Sequence, residues 1–151
     1  MISPMYFSRN GRDLPLPDPV LIVRSALTRW NVHAPPPLAV EPDLGTALIS
    51  SVYLREHCGQ SRQAPVSATM TQTGFVGTAE LGLTRVADER VERVFAALMR
   101  FAAIAGIGAQ TTHGFGATIL HALGPPGSHS ECADSGAHAG GELASPRSAR
   151  P

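Results

Sequence analysis

The sequence predicts an α+β domain on three observations. A helix opens at Asp18–Pro19, and a second runs over 88–106 with an apolar stripe at helical spacing. Between them, residues 74–83 alternate with the period of a strand.

Taken in order, "MISPMYF" (1–7) reads as the end of a strand. In "DPVLIVRSALTRWN", Asp18 is placed to cap a helix and Pro19 suits its first position. Val20, Val23, Leu27 and Trp30 then recur at helical spacing, and the "APPP" run at 34–37 ends the helix. "PDLGTALIS" (42–50) adds a short turn of helix, and "SVYLREH" (51–57) reads as a strand. In "GFVGTAELGL" (74–83), Phe75, Gly77, Ala79, Leu81 and Leu83 share one face. The helix over 88–106 carries Asp88 and Glu89 at its positive end and buries Val91, Val94, Phe95, Leu98, Ala102 and Ala105; Gly106 follows where a left-handed cap prefers glycine. "FGATILHAL" (115–123) reads as a closing strand, with His121 half-buried in the period of Phe115, Ala117 and Ile119.

Counting the opening stretch, the order is β-α-β-β-α-β, the ferredoxin-like pattern. The first strand is truncated, so the expectation is a fragment or a start codon placed late. One domain is expected over 1–123. Residues 124–151 are Gly, Pro, Ser, Ala and His with almost no large apolar side chain, the composition of a disordered tail. His129, Cys132 and His138 in that tail match no zinc spacing, and no metal or other cofactor is implied.

The 12 basic residues are all arginine and are balanced by 12 acids, so no bulk field points to a nucleic-acid partner. Without a signal peptide or an apolar run long enough to span a bilayer, the expected address is cytoplasmic, with no membrane partner.

The richest local signal is "AGIGAQTTHGFGATI" (105–119), where Gly106, Gly108, Gly114 and Gly116 surround a polar centre of Gln110, Thr111, Thr112 and His113. A dinucleotide fingerprint needs G-x-G-x-x-G after a strand, but Thr111 stands at the third glycine position and a helix comes before. A P-loop needs a lysine, and the chain has none. Two readings remain equal on spacing alone: backbone amides that approach a phosphodiester closely, or a tight helix-to-strand connection.

Three blocks in succession then resemble one family: "SPMYFSRNGRDLPLPDPVLIVRSALTRWNVHAPPPL", "GFVGTAELGL" and "LMRFAAIAGIGAQTTHGFGATIL". It is the CRISPR-associated endoribonucleases that cut precursor CRISPR RNA within its repeats, members of the RAMP superfamily. The helix end Arg29-Trp30-Asn31 and the C-terminal glycine-rich loop are similar to that family's. The resemblance covers about residues 3–122 and implies the second of two ferredoxin-like domains.

On that resemblance the chain binds CRISPR repeat RNA, not DNA. Its other implied partner is a first domain, missing or separately encoded, that carries the family's catalytic histidine. No residue here is therefore assigned as catalytic. The implied chemistry is metal-independent attack of a ribose 2′-hydroxyl on the adjacent phosphate, leaving a 2′,3′-cyclic end. RNA-binding candidates are Gly106, Gly108, Gln110, Thr111, Thr112, His113, Gly114 and Gly116 of the loop, with Arg24, Arg29 and Arg62. Arg55, Arg93 and Arg100 are further phosphate candidates. Relatives often carry a basic residue where Gln110 stands, so the loop supplies less counterion release. The alternative implied function is a non-catalytic scaffold, or protein-interaction, domain of a CRISPR effector complex. Gly108 and Gly114 are expected to behave alike, their substitution costing RNA binding more than stability.

Overall fold

A computed structural model describes residues 1–121. The expected tail, 124–151, and the end of the closing strand lie outside the described residues. The fold is mixed α+β. In chain order it has β1 (Phe7–Arg9), β2 (Arg12–Leu14), α1 (Pro19–His33), α2 (Pro42–Ser51), β3 (Val52–Pro65), β4 (Thr71–Leu83) and α3 (Glu89–Ala105), with 3-10 turns at Pro36–Leu38 and Thr111–His113.

Local chemistry sets the helix ends. The Asp18 carboxylate accepts from the Leu21 amide at 2.9 Å and Asp88 from the Val91 amide at 2.8 Å, each satisfying an amide that has no partner within its helix. α1 packs on α3 and β3, and α2 on both other helices. Met5, Ile22, Val23, Leu48 and Leu98 are fully buried between them, with Phe75 of β4.

The sheet is assembled from pieces. β3 and β4 form a long antiparallel hairpin with a bulge between Leu54 and Glu56. Residues 1–5 lie along the free edge of β4, where Met5 and Phe75 exchange both backbone hydrogen bonds, at 2.9 and 2.7 Å. On their other side runs 116–117: the Gly116 amide donates to Pro4 O and the Ile2 amide to Ala117 O, both at 2.9 Å. The resulting order, with the opening segment between β4 and the last segment and β3 at the far edge, is the ferredoxin-like arrangement.

Three expectations need correction. Over the described residues 115–121, the expected closing strand is not formed as a strand. Pro4 has no amide to return a bond, the Ala117 amide goes instead to Ser3 Oγ at 2.8 Å, and Gly114 and Gly116 at φ 84° and 66° turn the chain out of extended geometry. His121 is accordingly exposed rather than half-buried. β3 begins at Val52 and runs on to Pro65, well past His57, because its outer half is held by cross-strand hydrogen bonds while its side chains are mostly exposed and carry no alternation. The β1–β2 hairpin was not foreseen. Its tip is Asn10–Gly11, with φ 52° and 70°, the pair that a two-residue hairpin turn requires.

Candidate nucleic-acid interface

The glycine loop begins where α3 stops. Gly106 leaves the helix at φ 74°, and its amide closes the last turn on Ala102 O at 2.9 Å. The next residues are tied down one after another. The Ile107 amide donates to Gly116 O (2.9 Å), that of Gly108 to Ser25 Oγ of α1 (3.1 Å), and that of Ala109 to Tyr6 O (2.8 Å). Gln110 then turns at φ 57°, the 3-10 turn follows, and Gly114 at φ 84° starts the return. The Phe115 amide bonds back to Gln110 O at 3.3 Å, while its ring packs edge-on to Tyr6 at 5.7 Å.

Space divides the glycines into two kinds. A Cβ on Gly108 would fall 2.3 Å from Tyr6 O, and one on Gly116 1.8 Å from Ile107 O, so backbone passes where a side chain would stand. Gly114 faces open space, with nothing within 4 Å of such an atom. Loop amides divide the same way. Those of 106–109 and 113–117 are used internally, while those of Gln110, Thr111 and Thr112 donate to no acceptor among the described residues. Three successive amides at the tip are thus left without an acceptor among the described residues.

Arg29 holds this loop from behind. Its Nη1 donates to Gly106 O at 2.7 Å and its Nη2 to Gly108 O, so one guanidinium spans two loop carbonyls. Half-burial pulls its pKa below the usual arginine value. The rest of the Arg-Trp-Asn triplet is structural as well. Trp30 Nε1 donates to Leu38 O at 2.8 Å, and the Asn31 amide side chain makes a paired contact with the Val40 backbone at 2.9 and 3.1 Å.

The other sites spread more widely. Arg24 is exposed on α1 and lines, with Arg29, Arg9, Gly108 and Ala109, a groove of about 410 Å³ between α1, β1 and the loop. Arg62 is exposed on β3 opposite Gly74, which abuts Pro4 and Met5. It therefore shares a row across the sheet with Gly116, but stands about three strand spacings away, roughly 14 Å. Arg55 is paired with Glu80 and Arg93 with Glu89; Arg100 is exposed on α3. Gln110, Thr112 and His113 are exposed at the tip and Thr111 is half-buried, its methyl against Gly106. His33 lines a separate apolar groove with Trp30 and Phe101. Sequence reasoning missed Arg9, which the Asn-Gly signal beside it would have placed on a hairpin.

Burial, reinforced by the charge of Asp13, pushes the Tyr6 hydroxyl above the usual tyrosine range, and a hydrogen bond with the Gln110 side chain opposes the shift. Tyr6 is therefore a neutral strut under the tip.

The family model for CRISPR-associated endoribonuclease Cas6 matches residues 1–118. The chain belongs to that family. A Cas6 (TTHA0078) product complex is 30% identical with a TM-score of 0.67, covering 76% of this chain and 48% of that one. A Cas6 (TTHA0078) substrate mimic complex is 31% identical, again with a TM-score of 0.67 and coverages of 76% and 48%. Thermus thermophilus Cas6 (TTHB231) is 26% identical with a TM-score of 0.68, covering 76% and 48%. The chain thus spans about half the length of these Cas6 structures. Comparison with curated proteins gives no match. The resemblance read from three sequence blocks is borne out.

Proposed function

We propose that this Cas6-family chain binds CRISPR repeat RNA through the tip of its glycine loop, as the C-terminal half of an endoribonuclease that processes precursor CRISPR RNA. The observation that carries this reading is the set of three amides at Gln110, Thr111 and Thr112 that have no acceptor among the described residues, beside a groove walled by Arg24 and Arg9. Such amides are fixed partial charges suited to phosphate oxygens, and arginine adds a planar fork for the same oxygens. The relatives solved as product and substrate mimic complexes support it.

Cleavage in this reading needs no metal. A base takes the proton of a ribose 2′-hydroxyl, the oxygen attacks the adjacent phosphorus, the 5′-oxygen leaves with a proton from an acid, and a cyclic phosphate remains. Histidine suits that work near neutral pH. In this chain His113 stands exposed on the tip, whereas His33 sits in the apolar groove. In this reading the chain binds repeat RNA without cutting it, the base belonging to a first ferredoxin-like domain.

The test is the affinity of the full chain for labelled repeat RNA against scrambled RNA of equal length, both in EDTA. Tighter binding of the repeat with no cyclic-phosphate product is expected. Equal binding of both, or of neither, overturns RNA recognition in favour of a scaffold domain. A defined cut overturns the placement of the base, and His113→Ala and His33→Ala then identify it.

A further inference from the structure

The β1–β2 hairpin pairs Phe7 with Leu14, Ser8 with Asp13 and Arg9 with Arg12. Two arginines thus face each other beside the tip, where opposed side chains stand about 5 Å apart at Cβ and like charges destabilise the pair. Alternation puts both on the face of Phe7 and Leu14, and puts Ser8 and Asp13 on the other. Phe7, Ser8 and Arg9 line the same groove as Arg24, so β1 borders α1 across it, with Arg12 opposite Arg9 on the outer strand.

The nearby acids, Asp13 and Asp18, form no ion pair with these arginines. Asp13 accepts from Gln72 Nε2 at 2.9 Å on the opposite face, and Asp18 is occupied in capping α1. Among the described residues, Arg9, Arg12 and Arg24 make no salt bridge, whereas Arg55, Arg90 and Arg93 do. Arg9 and Arg24 thus line one groove, with Arg12 paired to Arg9, and none of the three has an ion-pair partner among the described residues. A repulsive cross-strand pair on a tight, exposed turn is relieved by an anion between its members.

We infer that the hairpin is a clamp for the phosphodiester backbone: Arg9 and Arg12, with Arg24 across the groove, take neighbouring phosphates of the RNA that the loop tip engages. The clamp rests on the RNA-binding reading and carries no base preference of its own. It contributes charge that the loop, with glutamine at 110, does not.

The test compares the full chain with the Arg9→Gln/Arg12→Gln and Arg9→Lys/Arg12→Lys double variants, by fluorescence anisotropy with repeat and scrambled RNA across a salt series. For the glutamine variant, affinity should fall roughly tenfold for both RNAs, and the slope of log affinity on log salt should become shallower by about 1.4 for single-stranded RNA and about 1.8 for duplex. Its melting temperature should hold or rise, and the lysine variant should keep the slope. Unchanged affinity and slope, with the unaltered chain still preferring repeat RNA, overturns the clamp and leaves the loop reading standing. A loss confined to repeat RNA overturns it too, since bases would then be read. An unaltered chain that binds neither RNA overturns both.

Discussion

Gly114 and Gly116 stand two residues apart, both at positive φ, yet a methyl group on Gly116 would fall 1.8 Å from Ile107 O while one on Gly114 would meet nothing within 4 Å. The base of the loop and its tip use the same residue type for different reasons. At the base, the α3 exit, the opening segment and α1 converge so closely that only bare backbone fits, and Arg29 ties the carbonyls of Gly106 and Gly108 together. At the tip, glycine only relieves a left-handed turn and leaves space above it. Rigidity below and vacancy above are what a phosphate-binding turn requires, because amides already fixed in place lose little freedom on binding.

The largest effect should come from Gly116→Ala. A Cβ driven into backbone at positive φ combines a left-handed penalty with overpacking, about 3 kcal/mol or more. Thermal unfolding should show a drop of many degrees or no folded protein, with Gly108→Ala close behind. A melting temperature within a degree or two of the unaltered chain would erase the distinction between base and tip.

Arg29→Ala comes next. It strands two half-buried carbonyls that had a charged donor, costing about 2 kcal/mol, and Arg29→Lys should rescue little because one ammonium cannot span both oxygens. Full rescue by lysine would show that Arg29 acts as a charge rather than as a brace.

Gly114→Ala sharpens the comparison from the other side. Its cost is the strain of φ 84° alone, about 1 kcal/mol, with no collision. Repeat-RNA affinity should fall by more than that stability loss implies, whereas equal losses would mean that the tip is a packing turn. Gly108 and Gly114 were expected to behave alike, and the geometry separates them.

The smallest effect is alkaline. A tyrosine whose folded pKa lies above its unfolded value contributes stability that is present below about pH 10 and is lost as pH rises through the folded pKa. The melting temperature should therefore fall above about pH 10, and Tyr6→Phe should flatten the fall. An identical fall in Tyr6→Phe would show that Tyr6 is no strut.

What could be read in advance follows from where the physics is local. The Asp18 and Asp88 caps and the stripe through Val91, Leu98 and Ala102 are sequence-near, and the helices came out as expected. The closing strand failed for a non-local reason: its neighbour across the sheet carries Pro4, and Ser3 diverts the Ala117 amide. The outer half of β3 was illegible because cross-strand hydrogen bonds, not side-chain burial, hold it. Within the loop, glycine density marked the place but could not separate packing from access, since that depends on Tyr6, Ser25 and Arg29, all more than 75 residues away in sequence. Arg29 itself looked like any arginine on a helix rim. Asn10–Gly11, by contrast, was a legible turn signal between two arginines.

The central claim is that a rigid base presents open amides to RNA, and amide chemical shifts of the full, isotope-labelled chain during titration with repeat RNA test it directly. The amides of Gln110, Thr111 and Thr112 should move most and saturate with the binding curve, while those of Ile107, Gly108, Ala109 and Gly116 move little. Large shifts at those four base amides with none at 110–112, or shifts confined to β3 and α3, would contradict it.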